Sequence, residues 1–114
     1  MLDRANRLQR QFFRPRSAAG WEPPVDIYET ARDLWVVVAL PGVGADQLEI
    51  AIADGAVVVA GERRLPVASR AVIHSLEIPH GRFERRIPLP AGHYRLDSRK
   101  LADGCLVIGL AKLG

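Results

Sequence analysis

"LEIAIADGAVVVAGER", residues 48–63, carries two apolar runs joined by an Asp-Gly pair. Side chains alternate across a strand, so Leu48, Ile50 and Ile52 share one face of the first run. Asp-Gly suits a two-residue turn in which both central residues need positive φ. The stretch therefore reads as an antiparallel hairpin of strands over 48–53 and 56–63. The same signal returns at Asp103-Gly104, ahead of the apolar "CLVIGLAK" (105–112).

Working outward, "LWVVVAL" (34–40) is a nearly unbroken apolar run, as expected of a strand covered on both faces. "PGVGAD" (41–46) is a turn, "VDIYE" (25–29) alternates, and "RFERRIPLP" (82–90) is a strand closed by prolines. Residues 95–101 form a weaker strand. About seven short strands at this spacing predict an all-β fold, an antiparallel β-sandwich, with no helix after residue 20. Residues 64–78, "RLPVASRAVIHSLEI", are too long for a tight turn, yet "VIHSLEI" has strand character. Such a segment can pair with its own sheet or with that of another chain.

The first twenty residues differ. Met1, Ala5, Leu8 and Phe12 follow helical spacing, with Arg7, Arg10 and Arg14 on another face, so the arm reads as a short amphipathic helix or a tail that becomes helical on contact. "RPRSAAGWEPP" then breaks it, placing a boundary near residue 20: a basic, flexible arm over 1–20 and one domain over 21–114. Five of the 16 basic residues lie in the arm against one of the 13 acids, leaving 11 and 12 for the body. The net charge of +3 thus reports the arm rather than a nucleic-acid-binding surface, and no nucleic-acid partner is expected. The single cysteine, Cys105, excludes an internal disulfide and fits a reducing compartment. No apolar run approaches the roughly 18 residues of a membrane span, and no secretory leader is evident. A cytoplasmic protein with no stable membrane insertion is the simplest expectation.

Catalytic signatures are missing from the sequence. It contains no G-x-S-x-G, phosphate-binding loop, H-E-x-x-H or C-x-x-C. His74, His80 and His93 lack ligand spacing, and Cys105 reads as a small apolar strand residue. No enzyme, metal or cofactor is expected. One residue stands out: Arg85 lies two positions from Phe83 and Ile87 in the same strand, on their apolar face. A guanidinium there is costly unless something pairs with it. Glu62 and Glu77 are the acids that local reading offers.

"WEPPVDIYET", "LPGV", "GERR", "GRFERRIPLP" and "DGCLVIGLAK" occur in the order and approximate spacing of the α-crystallin domain of bacterial small heat-shock proteins, and residues 21–112 resemble that domain. The G-x-F-x-R at Gly81, Phe83 and Arg85 is the most specific piece. The resemblance implies an immunoglobulin-like β-sandwich and an ATP-independent holdase. It would bind partly unfolded client proteins and pass them to ATP-driven refolding chaperones. It also implies a homodimer in which the 64–78 loop is exchanged onto the partner's 25–29 strand. Val25, Ile27, Glu62, Val72, His74, Leu76, Glu77 and Arg85 would then belong to the dimer interface, with Arg85 held by an acid. Leu8, Phe12 and Phe13 of the arm, with Leu48, Ile50 and Ile52 beside the 95–101 strand, would be the client or groove surface.

The sequence departs from the family at "HSLEI", which keeps Glu77 without flanking arginines, and at "RKLADGCL". The I-x-I extension that joins dimers into larger assemblies in the family has no counterpart before Gly114, and "IGL" (108–110) falls inside a strand. A dimer is therefore the expected dominant species, with higher oligomers made through the arm and an open groove able to take an I-x-I peptide. The competing functional class is an adaptor, a co-chaperone-like module that binds one folded partner.

Overall fold

A computed structural model describes residues 20–67 and 70–114. Seven strands follow one another: β1 (Val25–Glu29), β2 (Asp33–Ala39), β3 (Leu48–Ala53), β4 (Ala56–Arg63), β5 (Gly81–Pro88), β6 (His93–Ala102) and β7 (Cys105–Leu113). They form two antiparallel sheets, β1-β2-β7-β6 and β3-β4-β5. The only helical turn among the described residues is a 3₁₀ segment at Ala45–Gln47. The all-β sandwich expected from the alternation is what the chain forms.

Both Asp-Gly pairs make the turns their chemistry suggests. Asp54 and Gly55 have φ of 53° and 74°, and Asp103 and Gly104 have 54° and 77°. Two successive positive φ values define the hairpin turn whose twist matches its flanking strands. These turns set the β3–β4 register, with Ala53 opposite Ala56, and the β6–β7 register, with Ala102 opposite Cys105.

Register then decides the core. In the larger sheet Leu34, Val36 and Val38 of β2 lie beside Leu110, Ile108 and Leu106 of β7, and all six are buried. In the smaller sheet Val57 and Val59 of β4 share an inner face with Phe83 and Ile87 of β5. Burying such a side chain fully contributes about 1.5–3 kcal/mol. The period-two pattern of β2 and β5 is therefore what clamps one sheet on the other.

The stretch 64–80 runs as irregular chain wherever it is described, with no strand assigned. Its strand-like sequence does not pair with this molecule's own sheets. The arm expected over 1–20, including Leu8, Phe12 and Phe13, lies outside the described residues except for Gly20.

Candidate functional site: an open edge and an apolar loop

β1 is an edge strand, hydrogen-bonded on one side to β2. Four strands facing three leave an edge with little to cover it. Val25, opposite Val38, still packs against the core, whereas Ile27, opposite the buried Val36, is 43% exposed. An edge strand with free backbone groups and an uncovered isoleucine is a template for another strand.

The loop that carries complementary surface is 64–80. Val67, Val72, Ile73, Leu76 and Ile78 are all exposed, Val72 to 80%. His74 and Glu77 are exposed with them, and Ser75 Oγ donates to Glu77 Oε2 at 3.3 Å. In an extended conformation Val72, His74, Leu76 and Ile78 would fall on one face. Concentrating this much apolar surface in one loop is unusual for a surface segment, since such patches mark contact sites.

Arg63 anchors the far end of this loop. Its Nε donates to the Pro41 carbonyl at 2.8 Å and its Nη1 to the Pro79 carbonyl at 3.2 Å. The stem thereby stays tied to the turn after β2 while residues 70–78 remain outside the sheets. Below the stem is an apolar cavity of about 340 Å³, lined by Trp21, Pro24, Ala39, Pro41, Ile78 and Pro79 together with Arg63. Neither Arg63 nor Trp21 stood out as functional in the sequence. The only hints were their places in "GERR" and "WEPPVDIYET".

Arg85 finds its partner in the chain entering the domain. It sits on the inner face of β5, opposite the buried Val59 and between Phe83 and Ile87. Its Nη1 donates to the Pro23 carbonyl at 2.9 Å. Glu62 is opposite Arg82, one position out of phase, and so lies on the other face of the sheet. Glu77 is held by Ser75. Within one chain, then, neither acid meets Arg85, and a neutral carbonyl takes the place of the expected carboxylate. A guanidinium has five N–H donors, so one bond leaves capacity for a further acceptor.

The segment Arg85 holds is sewn along β5. Trp21 forms a parallel bridge to Phe83: its N–H donates to the Arg82 carbonyl, and the Glu84 N–H donates to the Trp21 carbonyl. The Trp21 indole N–H donates to the Gly81 carbonyl at 3.2 Å, and its ring lies 5.2 Å from that of Phe83. Pro23 is fully buried. The point where the arm leaves the sandwich is thus fixed on β5.

The expected groove residues divide. Leu48 is only 8% exposed and belongs to the core, because it lies opposite Gly61 on the inner face. Ile50 is half-buried and Ile52 is 38% exposed, so they carry the apolar surface left on β3. "IGL" (108–110) is interior to β7. The described residues hold no cluster of three or more potential metal ligands, and no helix among them is long and apolar enough to cross a membrane.

Comparison with known proteins agrees with this architecture. The Hsp20/alpha crystallin family model matches residues 26–113, and the chain belongs to that family. A search of curated proteins found no significant match. Among solved structures, hspA from Xanthomonas axonopodis is 27% identical, covering 82% of this chain and 96% of that one, with a TM-score of 0.71. A small heat-shock protein from Xylella fastidiosa is 28% identical over 84% of this chain and 90% of its own, with a TM-score of 0.70. Heat shock protein 16.0 from Schizosaccharomyces pombe has the same fold at 23% identity, over 82% of this chain and 88% of that chain, with a TM-score of 0.70. The structural neighbours come from many kinds of organism, so the narrower expectation of a bacterial branch is not carried by them. Family and neighbours support a chaperone role, and Hsp20 proteins are ATP-independent chaperones rather than enzymes.

Proposed function

We propose that this chain is a holdase: it captures partly unfolded proteins without ATP, keeps them from aggregating, and releases them to ATP-driven refolding chaperones. The reading includes a homodimer in which each loop crosses to the other chain's β1. The observation that carries it is the combination of the unpaired β1 edge, with Ile27 uncovered, and a loop whose five large apolar side chains are exposed in the single chain. Adding the loop as a strand would satisfy the backbone of β1 and set Val72 and Leu76 against Ile27. Covering the exposed parts of three such side chains contributes on the order of 3–5 kcal/mol, to which the new backbone hydrogen bonds along β1 add in offsetting the entropy of ordering the loop. In that arrangement the remaining donors of Arg85 face the interface, where Glu62 or Glu77 of the second chain supplies the acid.

Client capture then falls to apolar surface not used in the dimer, namely the arm residues Leu8, Phe12 and Phe13 and the β3 side chains Ile50 and Ile52. A reducing compartment, the cytoplasm, fits the free Cys105. The test is light scattering of several unrelated proteins heated with and without this chain in the absence of ATP. Suppression for all of them, diminished on removing residues 1–20, is expected. Protection of a single client with no effect on the others would replace the holdase with an adaptor.

A further inference from the structure

The outward face of the four-stranded sheet has a pattern that neither the β1 edge nor the loop uses. Cross-strand register places three rows on it, each running from β1 or β2 to β6. The first is Asp26–Val37–Val107–Lys100, the second Tyr28–Trp35–Gly109–Ser98, and the third Asp33–Ala111–Arg95. The outward faces of a sandwich are ordinarily polar. Here the centre is apolar and aromatic. Tyr28 is 55% exposed, while Trp35, Val37 and Val107 are half-buried. The Trp35 ring lies across Gly109, since a Cβ at that glycine would come within 2.8 Å of it. That makes the middle of the face nearly flat.

The charges on this face are sorted. Acids, Asp26 and Asp33, lie on the β1–β2 side, and bases, Lys100 and Arg95, lie on β6. Arg95 has an exposed contact with Asp97 at 4.0 Å, of the kind worth little in water. Among the described residues Asp26, Asp33 and Lys100 make no ion pair. An apolar centre with one acidic and one basic margin is complementary to a second copy of itself. The required symmetry axis is a two-fold in the contact plane, parallel to the strands. It lays β1 of one copy over β6 of the other, so both acidic margins meet both basic ones, Val37 meets Val107, and the large Tyr28 meets the small Ser98. A two-fold perpendicular to the strands would instead set acid on acid.

We propose that this outer face is a second self-association surface, on which two copies stack face to face with Asp26 of each opposite Lys100 of the other, and Asp33 of each over Ala111, one strand from Arg95. It is separate from loop exchange, which uses the backbone edge of β1 rather than its outward side chains. Four strands about 4.8 Å apart, each about seven residues long at about 3.3 Å per residue, present about 440 Å² per copy. That is below the roughly 800 Å² per partner of a standard stable interface, so the contact is weak and depends on concentration. It would link pairs of chains already formed by loop exchange.

Charge reversal tests the proposal without touching the core. By sedimentation velocity over a concentration series, the full chain is expected to associate in a step that weakens in 0.5 M NaCl. Lys100→Asp sets acid against acid, and like-charge contact at an interface costs enough to weaken that step at least tenfold. The double variant Asp26→Lys with Lys100→Asp restores opposite charges across the same axis and is expected to recover most of the association. Circular dichroism melting of all three proteins checks that the fold is unchanged. A step indifferent to salt and to Lys100→Asp overturns the proposal, as does a loss that the double variant fails to rescue.

Discussion

Gly61→Ala is expected to cost about 3 kcal/mol of stability, near the upper end of ordinary overpacking effects. Gly61 is in β4 opposite Leu48, on the inner face of the smaller sheet. A Cβ built there would lie 2.1 Å from the Gln47 carbonyl oxygen and 2.9 Å from Cζ of Phe83. The first neighbour is backbone, held in the 3₁₀ turn that leads into β3, and cannot rotate away. The second is a buried ring packed at a tilt against Trp21. Relief requires β3 to move away from β4, which disturbs Leu48 and the core behind it. Alanine also narrows the unfolded ensemble, a gain of about 0.4–1 kcal/mol that the clash exceeds several-fold. For a domain of this size the net change corresponds to a melting temperature lower by roughly 12–24 °C. Thermal denaturation followed by circular dichroism reads this directly. An unchanged melting temperature would mean that the β3–β4 register differs from the one described.

The second large effect belongs to Arg85. Its side chain crosses the inner face between Phe83 and Ile87 and ends on the carbonyl of buried Pro23. Replacing it with methionine keeps an apolar stem but leaves that carbonyl without its charged donor, a loss of about 1.5–3 kcal/mol. Arg85→Gly removes the stem as well and adds the strand cost of glycine, so it is expected to exceed the methionine variant by at least 1 kcal/mol. Both variants should also loosen the Trp21–Pro23 segment, visible as a red shift of tryptophan fluorescence as Trp21 becomes wetter. Denaturant unfolding of the two proteins beside the parent separates the contributions. Wild-type stability in both variants would show Arg85 to be a solvated surface charge.

Arg85 also shows what a sequence can and cannot reveal. Its position on an apolar face followed from counting by two from Phe83, and the need for a partner followed from the cost of an unpaired guanidinium. The partner was illegible because a backbone carbonyl has no residue type to recognise, and Pro23 is 62 positions away. Within one chain the β4–β5 register sets Glu62 opposite Arg82, on the other face, so it can meet Arg85 only from a second chain. The strands and both Asp-Gly turns were legible because alternation and positive φ are local properties. β6 was the exception, expected over 95–101 and found over His93–Ala102. A register shift between Leu96 and Ser98 lets Leu96 and Leu101, five residues apart, both join the inner-face rows of Leu110 and Leu106. One irregular residue thus erased the period-two signal. Leu48 shares a face with Ile50 and Ile52, so the resemblance placed it on the groove, and only the closure of one sheet over the other assigned it to the core.

The loop posed a different problem. "VIHSLEI" has the composition of a strand, and nothing among the described residues pairs with it. Local sequence reports the capacity to form a strand, whereas the edge that would receive it is a property of the assembly. We propose that β1 and this loop complete each other between two chains. Hydrogen exchange of the backbone amides of residues 70–78, measured at concentrations below and above dimer formation, tests it most directly. The claim predicts rapid exchange in the monomer and strong protection of alternate amides, together with those on the outer edge of β1, once the mass doubles. A dimer in which residues 70–78 and the β1 edge exchange as fast as in the monomer would contradict it.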